Sequence, residues 1–161
     1  MGNKKILMCS VCADVFHKSR HELINEFINR GFDVILLAPE EEAQLKRVFI
    51  KDRVKYYQIS MDRTGLNPVA DIRTINQIRR IINDEQPEIT YAFGGAKAAI
   101  YTTLASAAEN VPKNYCMING LGSVLRGHGF ANTIVKRIMT LLFRFALSRS
   151  DGVLFQNSDD L

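Results

Sequence analysis

The stretch from Ile6 to Ala38 reads ILMCSVCADVFHKSRHELINEFINRGFDVILLA. It begins with a short apolar run, Ile6 to Ser10, which is typical of a buried parallel strand. Apolar residues then recur at helical spacing from His17 to Arg30, and Gly31 stands where helices commonly end. A second apolar run, Val34 to Ala38, completes the order strand, helix, strand. This order predicts a βαβ unit, whose crossover is right-handed in nearly all cases.

The rest of the chain repeats this alternation. Four further strands are predicted at Val54 to Ser60, Glu88 to Phe93, Asn114 to Ile118 and Gly152 to Gln156. The predicted helices are a short one opening at Glu40, one from Pro68 to Glu85 with Asn67 as N-cap, one from Lys97 to Asn110 and one from Ala131 to Arg149. The buried stripe of the Pro68 helix is predicted to be Ile72, Ile75, Ile78, Ile81 and Ile82. We therefore predict an α/β fold over residues 1–161, a single Rossmann-like domain. Its doubly wound parallel sheet has about six strands in the order 3-2-1-4-5-6, with helices on both faces.

The predicted strand order places a topological switch between the first and fourth strands. Ligands of such sheets bind beyond the carboxyl ends of these strands, here between residues 10–16 and residues 93–97. The second segment holds Gly94, Gly95 and Lys97. Backbone N–H groups at a helix start and a lysine ammonium group would together form an anion site. The alternative is a tight turn with a surface lysine.

A glycine-rich segment follows the fifth predicted strand, and residues 119–130 read NGLGSVLRGHGF. Glycine lets the backbone adopt positive φ and approach a ligand closely. The candidate binding residues here are Gly120, Gly122, Ser123, Arg126 and His128. Arg63 is a further candidate, because its guanidinium group can bind a carboxylate or phosphate. The alternatives are a surface connection in which glycine only serves turns, and an exposed arginine beside a turn.

Positive charge is concentrated in one part of the chain. The formal net charge is +4, but residues 110–150 contain six basic residues and no acidic one, so the remainder carries a net −2. Such a patch favours phosphate, anionic lipid or nucleic acid as a partner. Nucleic acid is disfavoured because interleaved aromatic residues and known motifs are missing. We expect the basic helix Ala131 to Arg149 either to dock on an anionic membrane or to pack on the sheet with its charges solvated.

Several classes of protein are disfavoured by what the sequence lacks. The first βα loop has no glycine, so the GxGxxG dinucleotide fingerprint is missing, and no P-loop motif occurs. Cys9 and Cys12 form a lone CxxC, which we interpret as structural thiols, and the histidines lack a metal-binding pattern. No apolar run is long enough to span a bilayer. We therefore expect a cytoplasmic protein without a metal or cofactor.

Four motifs together resemble one enzyme family. RTGLNP (63–68), AKAAIY (96–101), GLGSVL (120–125) and FQNSDD (155–160) occur in the order and spacing of the N-terminal half of family 4 glycosyltransferases. The similarity is to bacterial enzymes that build capsular, O-antigen or other undecaprenyl-linked glycans, and it covers nearly the whole chain.

The resemblance implies a GT-B enzyme of two Rossmann-like domains that transfers a sugar from a nucleotide sugar with retention. In such hexosyltransferases the N-terminal domain binds the acceptor, here expected to be a polyprenyl-diphosphate-linked glycan, and the C-terminal domain binds the donor. We therefore expect the native chain to continue past Leu161 and the protein to lie on the inner face of the cell membrane. The positions that match family motifs are Arg63, Asn67, Lys97, Tyr101, Gly120, Gly122 and Asn157.

The chain departs from the family pattern at Gly94. Relatives commonly have a histidine there, three residues before the motif lysine, so the resemblance assigns no catalytic residue to this chain. The alternative function is a stand-alone Rossmann-like module that binds a small anionic ligand or a protein partner without catalysis.

Overall fold

A computed structural model describes residues 3–41, 53–62, 67–118 and 130–156, without the side chains of residues 130–136 and 139. The strands are β1 (Lys5–Ser10), β2 (Asp33–Ala38), β3 (Val54–Gln58), β4 (Ile89–Phe93), β5 (Lys113–Ile118) and β6 (Gly152–Phe155). The helices are α1 (Asp14–Lys18), α2 (His21–Asn29), α3 (Pro68–Glu85), α4 (Ala96–Ala108) and α5 (Phe130–Leu147).

The six strands form one parallel sheet in the order β3-β2-β1-β4-β5-β6, which confirms the predicted order. β1 lies at the centre, where Met8 pairs with Leu36 of β2 and Tyr91 of β4. The topological switch therefore lies between β1 and β4, as predicted.

Side chains alternate between the two faces of the sheet, as the pleat requires. On one face, Leu7, Cys9 and their neighbours in the other strands pack against α3, α4 and α5. On the opposite face, Ile6, Met8 and their neighbours pack against α1 and α2. Helices thus cover both faces, and the apolar runs of the central strands are explained by burial on both sides.

The first predicted helix is two helices. The prediction of one helix from His17 to Arg30 is wrong because the chain leaves helical geometry at Ser19 (φ −134°) and Arg20 (φ −128°). The fully buried ring of Phe16, in the first helix, packs edge-on against Phe93 with ring centroids 5.7 Å apart. The break lets α1 bury this ring over β4 while α2 covers β1 and β2.

α3 begins and ends where the sequence predicts. Asn67 is the N-cap, its Oδ1 accepts from the Ala70 N–H at 3.3 Å, and Pro68 occupies the first turn. The predicted buried stripe is wrong at Ile72, which is 59% exposed. It precedes the buried Ile78 by six residues, about 120° around the helix at 3.6 residues per turn.

The remaining differences from prediction are small shifts of element ends. The short helix predicted to open at Glu40 lies mostly outside the described residues, and Glu40 itself is in a bend. None of the described helices combines the length and the apolar character needed to cross a membrane.

Candidate active site at the carboxyl edge of the sheet

The loops after β1 and β4 meet at the topological switch. Ser10 and Phe93, the last residues of the two strands, pair in register. Gly94 has φ +83°, and a Cβ there would lie 2.7 Å from Ser10 Oγ. A Cβ on Gly95 would lie 3.2 Å from both methyl groups of Val11. The positive φ at 94 favours glycine in this chain, and the two loops are in direct contact.

α4 starts immediately after this contact. Its N-cap is Gly95, which offers no side chain to accept a hydrogen bond from the first-turn amides. Helix N-termini with free amides attract anions. The anion site predicted at Gly94 to Lys97 is thus supplied with backbone donors, and the binding of an anion there stays a prediction.

Lys97 lies inside the protein rather than on its surface. Its side chain is 7% exposed, and Nζ lies 3.1 Å from Oδ1 of Asp71 on α3, whose side chain is 15% exposed. The alternative of a surface lysine is therefore wrong. Because Asp71 neutralises much of its charge, Lys97 can bind an anion only by sharing its ammonium group with this carboxylate.

Asp71 lies among the three predicted site residues that the structure describes, which are Asn67, Lys97 and Tyr101. Its Oδ2 accepts from the Asn67 N–H at 3.1 Å, its Oδ1 accepts from Lys97 Nζ at 3.1 Å, and its carboxylate lies near the Tyr101 hydroxyl. Burial first, and then the nearby Asp71 carboxylate, raise the pKa of Tyr101. The Lys97 Nζ also lies 5.8 Å from the centre of the Tyr101 ring. The network joins the start of α3 to the first turns of α4.

The remaining predicted site residues lie outside the described residues, and their placement stays a prediction. They are Arg63, Gly120, Gly122, Ser123, Arg126, His128 and Asn157.

Two residues of this edge, Asp71 and Arg20, were not predicted as site residues from the sequence. Asp71 was not singled out, although an acid in the first turn of a helix four residues after an Asn N-cap is a recognisable signal. Arg20 sits at the break between α1 and α2, with its guanidinium carbon 5.4 Å from the centre of the Phe93 ring. No local signal reveals this contact, because Phe93 lies on β4, far from Arg20 in the sequence.

The described part of the chain contains no group of three or more His, Cys, Asp or Glu side chains suited to a metal ion. Cys9 is fully buried, and burial raises the pKa of its thiol to about 12. Cys116 is buried as well. Both thiols pack within the sheet, as the interpretation of structural cysteines requires.

The family is decided by a match along almost the whole chain. The model of the glycosyl transferase 4-like family matches residues 5–157. This chain belongs to that family. The resemblance inferred from the four motifs is thereby confirmed.

One curated relative has a defined activity. The chain is 20% identical, over 148 residues, to the N,N'-diacetylbacillosaminyl-diphospho-undecaprenol alpha-1,3-N-acetylgalactosaminyltransferase of Campylobacter jejuni. The alignment covers 92% of this chain and 38% of the relative.

Solved structures share the fold. MurG of Acinetobacter baumannii matches with a TM-score of 0.62 at 16% identity, over 98% of this chain and 42% of MurG. A UDP-N-acetylglucosamine 2-epimerase matches with a TM-score of 0.65 at 12% identity, over 97% of this chain and 40% of the epimerase. The chain thus spans about two fifths of the length of these relatives.

Proposed function

We propose that this chain is the acceptor-binding, N-terminal half of a GT-B glycosyltransferase that transfers a sugar from a nucleotide sugar to a lipid-linked glycan in surface polysaccharide biosynthesis. The observation that carries the proposal is the family match over residues 5–157. It favours a glycosyltransferase over a stand-alone binding module. The Campylobacter relative, named for a transferase of a diphospho-undecaprenol-linked acceptor, supports the acceptor class.

The geometry of the carboxyl edge fits a diphosphate-linked acceptor. The first-turn amides of α4, to which Gly95 offers no capping side chain, provide hydrogen-bond donors for phosphate oxygens. The buried Asp71–Lys97 pair behind them fixes α3 against α4 and keeps the amides in place. Preorganised donors stabilise charge without reorganisation during the reaction, which is how such an edge contributes to group transfer. The nucleotide sugar is a substrate bound by the other half of the enzyme, and no cofactor takes part.

We propose further that the enzyme is peripheral on the inner face of the cell membrane and docks through α5. Leu142, Phe143, Ala146 and Leu147 of this helix pack against the core. On its other side Ile138, Leu141 and Phe145 are exposed. Arg137, Arg144 and Arg149 are exposed as well, and no acidic residue occurs in the helix. Apolar side chains flanked by arginine suit an anionic leaflet, and a lipid-linked acceptor requires such a surface.

The test is sugar transfer by the full-length protein. It should transfer one sugar from a panel of nucleotide sugars to a short glycan on a polyprenyl diphosphate carrier, detected by mass spectrometry of the product. We expect the product to keep the anomeric configuration of the donor. Binding of a nucleotide sugar with no transfer to any lipid-linked glycan would contradict the proposal.

A further inference from the structure

Arg20 occupies a position at the carboxyl edge that serves none of the roles described above. Its guanidinium group lies over Phe93, the last residue of β4. Nη2 donates to Sδ of Met117, the penultimate residue of β5, at 2.9 Å. Nη1 donates to the Ser19 carbonyl at 2.9 Å. The guanidinium group is thus held across the ends of two central strands, and the glycine-rich segment 119–130 follows β5 directly in the chain.

This cation has no anionic partner among the described residues. No described carboxylate lies within 4.0 Å of the Arg20 guanidinium nitrogens. Asp14 pairs with Lys18 at 2.5 Å, and Glu22 lies 4.0 Å from His21. The Nε atom is buried and finds no hydrogen-bond acceptor within the described part of the chain. Arginine in a partly buried place is normally paired, since its unpaired donors lose their hydration.

The local backbone makes an unpaired cation here less favourable still. Arg20 is the N-cap residue of α2, a nine-residue helix. The positive end of the helix dipole therefore lies beside a positive side chain, the opposite of the usual arrangement. An anion bound next to Arg20 would interact favourably with both.

The geometry of the guanidinium group indicates which anion fits. Nε and Nη2 are adjacent donors that bind a phosphate or carboxylate bidentately, and stacking on Phe93 holds their plane. The group that now contacts Nη2 is a thioether, which is a weak acceptor on a flexible side chain. A phosphate oxygen can replace it at little cost once the methionine side chain moves aside.

We propose that Arg20 binds a phosphate group of the diphosphate-linked acceptor, at the carboxyl ends of β4 and β5. This assignment rests on the proposed function for the identity of the ligand, whereas the anion site itself rests on the contacts of Arg20. It adds a cation whose charge no carboxylate among the described residues offsets, unlike that of Lys97.

The first experiment measures anion binding without turnover. Inorganic pyrophosphate is titrated into the full-length protein by isothermal calorimetry, with wild type, Arg20→Gln, Arg20→Lys and Arg30→Gln. Arg30→Gln is the matched control because it removes the same charge from the other end of α2. Arg30 there forms an exposed i,i+4 ion pair with Glu26. We expect Arg20→Gln to weaken one pyrophosphate site about tenfold, Arg20→Lys to weaken it less, and Arg30→Gln to leave it within about twofold.

The second experiment locates the site by kinetics. Arg20→Gln should raise the acceptor KM about tenfold and leave the donor KM unchanged, whereas Met117→Leu should keep or improve pyrophosphate binding because it removes only the competing sulfur. Should Arg20→Gln fail to fold by circular dichroism, the Arg20→Lys and Met117→Leu titrations carry the test.

Equal weakening by Arg20→Gln and Arg30→Gln would overturn the assignment, since it would report net charge alone. Pyrophosphate binding that is unchanged in Arg20→Gln and Arg20→Lys would overturn it as well. Arg20-dependent pyrophosphate binding in a protein that transfers no sugar would contradict the proposed function and leave the anion site standing. Sugar transfer with the same acceptor KM in wild type and Arg20→Gln would contradict the Arg20 site and leave the proposed function standing.

Discussion

At the scale of single residues, two largely buried carboxylates, Asp71 and Glu85, each interact with several polar side chains or backbone groups. Asp71 and Glu85 lie at the two ends of α3, and each holds lysine and tyrosine side chains from other elements. Asp71 serves the carboxyl edge, and Glu85 serves the amino ends of β1 and β3. Both pairs join α3 to the rest of the domain.

The Asp71–Lys97 pair predicts a coupled pair of substitutions. Lys97→Met alone leaves a largely buried carboxylate without its cation and should destabilise the protein by about 1–3 kcal/mol. Adding Asp71→Asn should recover part of this loss, because the amide still accepts from the Asn67 N–H. Urea unfolding of the two single variants and the double variant gives the coupling energy. Losses that simply add would show that the pair contributes nothing.

Lys97 also predicts a kinetic effect if it shares its ammonium group with a phosphate. In the full-length protein, Lys97→Ala should lower kcat/KM for the acceptor about tenfold, roughly the 1.4 kcal/mol of one charge-assisted contact. Measuring Asp71→Asn beside it separates binding from fold maintenance, because that variant keeps the lysine. Acceptor kinetics that do not change in Lys97→Ala would return the residue to a purely structural role.

Glu85 predicts a pH dependence of stability. Burial acts to raise its pKa, but hydrogen bonds from Lys5, Lys55 and Tyr57, at 2.8, 2.6 and 2.5 Å, overcome this and lower the pKa from 4.5 to about 2. A depressed pKa contributes stability that is present above pH 4.5 and is lost as the pH falls toward 2. Melting temperatures of wild type should therefore fall more steeply over this interval than those of Glu85→Gln, which is less stable at pH 7. Parallel curves for the two proteins would exclude Glu85 as the source.

At the scale of elements, α5 carries apolar side chains on two sides. One side packs on α4 and the core, which is one of the two alternatives left open by the sequence, and the other leaves Leu141 63% and Phe145 50% exposed. The Arg149 guanidinium carbon lies 5.1 Å from the centre of the Phe145 ring, so charge and apolar surface alternate along this side.

This arrangement predicts salt-sensitive binding to anionic vesicles. Each arginine near such a surface is worth about 1 kcal/mol, so Arg137, Arg144 and Arg149 together suffice for weak, reversible docking. Cosedimentation should fall when all three are changed to Gln, and again in Leu141→Gln. Ile72→Gln is the control, since it removes an exposed apolar side chain from α3. Equal sedimentation with anionic and zwitterionic vesicles would rule out α5 as the anchor.

At the scale of the whole molecule, we propose that the chain forms one wall of a cleft between two domains. It spans about two fifths of the length of its relatives, and the candidate residues that the structure describes lie at the carboxyl edge of the sheet. We therefore predict that residues 1–161 alone transfer no sugar, because binding energy must be applied to the transition state from both substrates at once. A radiolabelled transfer assay against a full-length relative checks this. A rate comparable to that relative would refute the division of labour between the two halves.

The amino-acid sequence by itself determined the alternation of strands and helices, the strand order and the family. These follow from signals read over a few residues, such as the apolar runs of β1 and β2 or the Asn67-Pro68 start of α3, where the predicted and observed ends agree to within one residue. Only the tertiary structure decided which polar side chains meet. Lys97 and Asp71 are 26 residues apart, and Arg20 and Met117 are 97 apart. Periodicity carries no information on such pairs, because they depend on how α1, α3 and α4 are seated on the sheet. The break at Ser19–Arg20 and the exposure of Ile72 have the same origin, since each helix turns to bury the side chains that fit the strands beneath it.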